Sequence, residues 1–283
     1  MKTRKGNYLT AKTLKRFGSF AISKGDATVA MKMEDYFSRM QISSDCVSSN
    51  VSDVFSQDGD GDTYLHLAVI QGDERLCYYF IATASCVDLL NLQNHQFQTP
   101  LHLAVATRQL EVVRRLLEAG ASRDCRDSLG NTPLHVACRE GHADVVASLL
   151  SDGNNGKGVA HSKDVALKNY DGHTCLHMAA MTTNFTNLDL LLEKGADINA
   201  GDMKSGRTIL HYAAELGSVT LTNYLMQQKN LDINRVTYGG KTALSLAAGR
   251  GFHGIVTVLL SHGADPSQLY VQDSESDESD MEM

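Results

Sequence analysis

The stretch from Thr99 to Leu150 contains itself twice: Thr99-Pro100-Leu101-His102 returns 33 residues later as Thr132-Pro133-Leu134-His135. A period in the low thirties marks a stacked helical repeat, a stronger constraint on the fold than any compositional figure. Within one unit, Thr99 suits a helix N-cap and Pro100 suits the first helical position, where a missing N–H costs nothing. Leu101, Ala104 and Val105 then share one face. After a break near Gln109, a second amphipathic helix sets Val112, Val113, Leu116 and Leu117 against Glu111, Arg114, Arg115 and Glu118. Gly120 is placed to end it, and Asp127-Ser128-Leu129-Gly130 reads as a turn into the next unit. One such unit has too little apolar surface to stand alone, so neighbours must cover each other's faces.

The tetrad recurs at Thr63-Tyr64-Leu65-His66, Thr174-Cys175-Leu176-His177, Thr208-Ile209-Leu210-His211 and Thr242-Ala243-Leu244-Ser245, making six copies. The spacing of 42 between the third and fourth implies an insertion, best placed in the polar segment Ser151–His161. Second helices are expected around Val145, Val146, Leu149 and Leu150, then Leu188, Leu191 and Leu192, then Leu221, Tyr224 and Leu225, then Ile255, Val256, Leu259 and Leu260. The fold class is therefore all-α, a solenoid of six helix-turn-helix repeats over residues 58–268. A basic and then serine-rich region (1–57) precedes it, and an acidic, serine-rich tail (269–283) follows. The fifth and sixth repeats depart most from the pattern: Lys229–Leu231 replaces a Gly-Ala pair and Ser245 replaces the histidine.

No run of 18 apolar residues is present, so no membrane partner is expected. Six scattered cysteines (Cys46, Cys77, Cys86, Cys125, Cys138, Cys175) without a C-x-x-C pair read as small core residues in a reducing compartment. The tetrad histidines fall one per repeat, about 10 Å apart in packed layers. That is too far for one metal centre, and buried hydrogen-bonding roles are expected. G-x-S-x-G, P-loop and dinucleotide-turn motifs are all missing, so neither an enzyme nor a cofactor is expected. Tyr78, Tyr79 and Phe80 read as packing residues.

The units resemble ankyrin repeats, whose signature is T-P-L-H-x-A with a later G-A-D, here Gly195-Ala196-Asp197 and Gly263-Ala264-Asp265. The resemblance implies antiparallel helix pairs with β-hairpin fingers at Gln93–Gln98, Arg126–Asn131, Lys168–His173, Ala200–Arg207 and Asn234–Lys241. Fingers and first helices would line a concave protein-binding face. Candidate partner contacts are Asn94, Phe97, Arg126, Tyr170, Met203, Val236 and Tyr238. More narrowly, six repeats, an enlarged third repeat, the strings Tyr170–His177 and Asn234–Tyr238, and the acidic tail resemble the inhibitor-of-NF-κB (Cactus-like) family. That resemblance implies a monomeric cytoplasmic protein, shuttling to the nucleus in one version, that clamps a Rel-homology transcription factor dimer. It would mask the dimer's nuclear localisation segment and oppose DNA binding. The alternatives are a nuclear cofactor that stays with the factor on DNA, and a generic ankyrin adaptor.

Charge fits an anionic binder. Residues 1–25 hold seven cations and no acid, which leaves 19 Lys and Arg against 33 Asp and Glu from residue 26 onward. A surface of that sign attracts basic segments and repels DNA, so direct nucleic acid binding is not expected. In the tail, Asp273, Glu275, Asp277, Glu278, Asp280 and Glu282 are candidate partner contacts. Ser274 and Ser279, each with an acid three residues on, suit a casein-kinase-type enzyme. Each phosphate would add about −1.5 to −2. The D-S-G-x-x-S sequence of signal-degraded family members does not occur, which leaves Lys24 and Lys32 only weak candidates as ubiquitin acceptors.

Overall fold

The computed structural model describes residues 55–151 and 164–269. Within them lie six helix pairs: α1 Tyr64–Gln71 with α2 Glu74–Thr83, α3 Pro100–Ala106 with α4 Leu110–Glu118, α5 Pro133–Glu140 with α6 Ala143–Leu150, α7 Cys175–Met181 with α8 Phe185–Glu193, α9 Ile209–Leu216 with α10 Val219–Met226, and α11 Ala243–Gly249 with α12 His253–Ser261. Short 3-10 turns occupy Val87–Asn91 and Pro266–Leu269. The first helices stack in chain order from α1 to α11, and the second helices stack outside them as α2 on α4 on α6 on α8, and α10 on α12. No described helix is long and apolar enough to cross a membrane.

Each first helix starts on the tetrad threonine, which sits in extended backbone as N-cap, with proline at the first position of α3 and α5. Glycines in the left-handed conformation (Gly72, Gly141, Gly217) cap α1, α5 and α9. The tetrad leucines Leu65, Leu101, Leu134, Leu176, Leu210 and Leu244 are all buried, each worth about 1.5–3 kcal/mol of transfer free energy. The Lys229–Leu231 departure works because Asn230 takes the left-handed conformation (φ 64°) that Gly120, Gly195 and Gly263 adopt elsewhere, and asparagine tolerates it.

Three expectations need correction. The fingers are closed turns rather than two-stranded hairpins: among the described residues a single isolated bridge, Lys168 to Thr174, is present. Leu260 is 41% exposed, because no further helix among the described residues stacks on α12. Cys86 is exposed and Cys125 half-buried, whereas Cys77, Cys138 and Cys175 are core residues; Cys46 lies outside the described residues, as does most of the Ser151–His161 insertion.

The tetrad histidines are the links between repeats. In all five, Nδ1 accepts from the threonine backbone N–H and the threonine hydroxyl, the latter at 2.8–2.9 Å. That leaves Nε2–H to donate to a carbonyl of the next repeat: His66 to Gln98 at 3.0 Å, His102 to Asn131 at 3.1 Å, His135 to Leu167 and His173 at 3.1 and 3.2 Å, His177 to Arg207 at 3.0 Å and His211 to Lys241 at 3.1 Å. The sixth tetrad has no following finger among the described residues to receive such a bond, and there Ser245 turns its hydroxyl back to the Thr242 carbonyl.

Burial drives these imidazoles toward the neutral form, to about 4 for His66, His135 and His177 and downward for His102 and His211. In the unfolded chain they titrate near 6.5. Below that pH the unfolded chain takes up protons that the fold refuses. Stability is thus complete above about pH 6.5 and is lost toward pH 4, at up to about 1.4 kcal/mol per pH unit per histidine. The thermal midpoint should be flat above pH 7 and fall steeply between pH 6.5 and 4.5; a constant midpoint across that window would contradict this role. A second expectation concerns Asn187 in α8, fully buried with neither amide atom hydrogen-bonded. Asn187→Leu removes that cost of about 1–3 kcal/mol. Calorimetry should show a raised melting temperature, and a lowered one would refute the assignment.

Candidate functional site

The fingers form one row, built from a repeated turn. A carboxylate or amide at the first position accepts backbone N–H groups across the turn: Asn94 from Gln96 and Gln98, Asp127 from Leu129 and Asn131, Asp202 from Ser205 and Gly206. The same residues close the turn through the backbone, Asn94 to Gln98, Asp127 to Asn131, Asn169 to His173, Asp202 to Arg207 and Thr237 to Lys241, all at 2.8–3.0 Å. Burial works against ionisation of Asp202, but the Ser205 N–H, the Tyr212 hydroxyl, the Ser205 hydroxyl and the Gly206 N–H hold its carboxyl down at about 2.

Two ladders tie the turns together. One is backbone to backbone at the tips: His95 N–H to Asp60, Ser128 to Gln96, Tyr170 to Leu129, Met203 to Gly172 and Tyr238 to Ser205, at 2.8–3.2 Å. The other uses side chains at the roots. Gln57 donates to the Gln93 carbonyl at 2.7 Å, Gln93 to that of Arg126 at 2.8 Å, Arg126 to that of Lys168 at 2.7 Å and Lys168 to that of Gly201 at 2.7 Å. A finger cannot tilt without straining its neighbours.

The tips pack by exchange of bulk. Gly130 and Gly206 have φ of 75° and 70°, and a Cβ on either would lie 2.5–2.8 Å from the ring of Tyr170 or Tyr238 in the next finger. In the Gln93–Gln98 finger the order is reversed: Phe97 itself takes the left-handed position (φ 58°), and the next finger offers the small Ser128 where the later fingers carry Tyr170, Met203 and Tyr238. The outcome is a line of apolar side chains facing solvent: Phe97 57%, Tyr170 67%, Met203 64%, Val236 46% and Tyr238 74% exposed. Leu129, unremarked in the sequence, joins them.

Asn94 and Arg126 behave differently from the other candidates. Both are half-buried: Asn94 holds its own turn and donates to Asp62 at 2.9 Å, and Arg126 supplies one rung of the root ladder and also reaches the Gly130 carbonyl. Their polar groups position the row rather than project from it. Asp273, Glu275, Asp277, Glu278, Asp280, Glu282, Ser274, Ser279, Lys24 and Lys32 lie outside the described residues.

A groove of about 570 Å³ was not anticipated. It lies between the last two fingers and α11, lined by Lys204, Arg207, Lys241 and Arg250 together with Tyr238 and Ser245. The four cations come from positions spread over two repeats, so no local charge run announces them.

Comparison with known proteins follows the same lines. Ankyrin repeats (three copies) match residues 40–127, 119–202 and 200–269. The p105 subunit of nuclear factor NF-kappa-B from Gallus gallus is 39% identical over 213 residues, 74% of this chain and 21% of that protein. Human NF-kappa-B inhibitor epsilon is 40% identical over 215 residues (76% and 43%), and human B-cell lymphoma 3 protein 39% over 225 (78% and 48%). The chain thus spans about a fifth to a half of the length of these relatives. Among solved structures, the ankyrin repeat domain of Bcl-3, described as a unique member of the IkappaB protein family, matches with a TM-score of 0.66 at 39% identity, over 74% of this chain and 90% of that one. Six tetrads, six helix pairs and these relatives together make this chain an ankyrin-repeat protein of the inhibitor-of-NF-κB family.

Proposed function

We propose that this chain binds a Rel-type transcription factor dimer along its finger row, masks the nuclear localisation segment and opposes DNA binding, acting in the cytoplasm. The observation that carries the reading is the rigid line of exposed apolar tips, Phe97, Tyr170, Met203, Val236 and Tyr238, held by two hydrogen-bonded ladders. Rigid aromatic anchors lose little entropy on docking, which is what makes such side chains binding hot spots. The names of its relatives, an NF-kappa-B inhibitor among them, indicate the class of partner. The acidic segment Asp273–Glu282 supplies the charge that would compete with DNA phosphates for the factor's cations, more so once a casein-kinase-type enzyme has modified Ser274 and Ser279. A second reading, a nuclear cofactor that remains on DNA with the factor, draws support from the likeness to Bcl-3.

A labelled DNA duplex bearing a Rel site, loaded with the factor and then given the full chain, separates the two. The inhibitor reading expects release of free DNA. A complex that gains mass and stays on DNA would replace it with the cofactor reading, and no effect at all would overturn both. Tyr170→Ala with Tyr238→Ala should weaken the effect by about tenfold or more, with little change in melting temperature, because both rings are mostly in solvent.

A further inference from the structure

Against a chain whose net charge is strongly negative, the groove between the last two fingers stands out. Lys204, Arg207, Lys241 and Arg250 line it, and no carboxylate does. The acids at its margin are already engaged. Asp171 pairs with Lys204 at 2.6 Å, and Glu215 pairs with both Arg207 and Arg250. Asp202 accepts from Ser205, Gly206 and Tyr212. The Lys241 ammonium has no ion pair among the described residues, and its residue is exposed. Ser245, which stands where the earlier tetrads carry histidine, lines the groove with its hydroxyl turned back to the Thr242 carbonyl.

The sequence carries an anionic segment close by. The 3-10 turn Pro266–Leu269 packs against α11, the helix whose Ser245, Leu246, Gly249 and Arg250 line the groove. Four residues past Leu269 the chain reaches Asp273, and from there to Glu282 it carries six acids and no cation. An extended chain of that length spans up to about 45 Å from Leu269, several times the roughly 10 Å length of a seven-residue helix. Tethering holds such a segment at an effective concentration of about a millimolar, so weak surface ion pairs suffice to seat it.

We propose that the cationic groove between the last two fingers is a docking site for the acidic segment Asp273–Glu282 of the same chain. Lys204, Lys241 and Arg250, beside Tyr238, are the groove side chains that would receive its carboxylates. Phosphates on Ser274 and Ser279 would strengthen the seat. This goes beyond the reading of the chain as a Rel-factor binder and does not rest on it, since the contact belongs to the free protein.

The test uses the full chain alone, without any transcription factor. A water-soluble carbodiimide joins carboxylates to amines in contact, and mass spectrometry of the monomer band locates the joins. Joins from the segment 273–282 to Lys204 and Lys241 are expected at 50 mM salt, with about fivefold loss at 0.5 M, where the screening length shrinks to a few ångströms. Arg207→Gln with Arg250→Gln keeps both reactive lysines and should lower the yield at them about fivefold. Joins spread evenly over lysines elsewhere, joins found only between two copies, or a yield indifferent to salt would each overturn the proposal. The salt series on the unaltered chain decides the matter even if the double variant folds poorly.

Discussion

One hydrogen bond, repeated, carries this architecture: the Nε2–H of a buried histidine donating to the main-chain carbonyl of the next repeat. A single repeat gains nothing from that histidine, since taking an imidazole out of water costs free energy unless both nitrogens are satisfied. The tetrad threonine satisfies Nδ1 from within the repeat, which fixes the tautomer and leaves Nε2–H for the neighbour. The cost is recovered only when the neighbour is present and in register. Stacking is thereby made cooperative, and the carbonyl that is bonded belongs to a finger, so the helix stack and the finger row are set by the same contact.

From this follows the character of the binding face. Turns on a surface are ordinarily mobile, yet here each finger is held at its tip by a backbone bond and from beneath by a histidine, and the first four are also held at the root by a side chain from the preceding turn. The apolar tips are therefore presented on a nearly rigid line. The exchange of bulk between tips, glycine under tyrosine at two junctions, glycine under methionine at one and phenylalanine beside serine at another, keeps the line continuous while changing what each position shows to a partner.

Much of the fold was legible because its determinants are local. A threonine N-cap, proline at the first helical position, a glycine stop and apolar spacing all lie within one repeat, so Thr99–Leu150 sufficed to infer the rest. The exposed tips Phe97, Tyr170, Met203, Val236 and Tyr238 were legible too, as apolar residues in turns. What escaped the sequence depends on contacts 33 or more residues away. Arg126 reads as a candidate partner contact in a turn, but its guanidinium donates to the Lys168 carbonyl, which only the stacked structure brings within reach. The cationic groove escaped for the same reason, since Lys204, Arg207, Lys241 and Arg250 converge only when two repeats pack. Leu260 fits the helical pattern yet faces solvent, because periodicity assigns a face and not its cover.

The histidine link at the centre of the array offers the most direct test. His135 donates to both Leu167 and His173 in the following repeat, and phenylalanine keeps its bulk without its donor. Hydrogen exchange across the full chain, compared between the native protein and His135→Phe, should show protection lost together in α5 and in the Asn169–His173 turn, at about 1–3 kcal/mol. Loss confined to α5, with the turn as protected as before, would contradict the claim that this bond sets both the stack and the finger row.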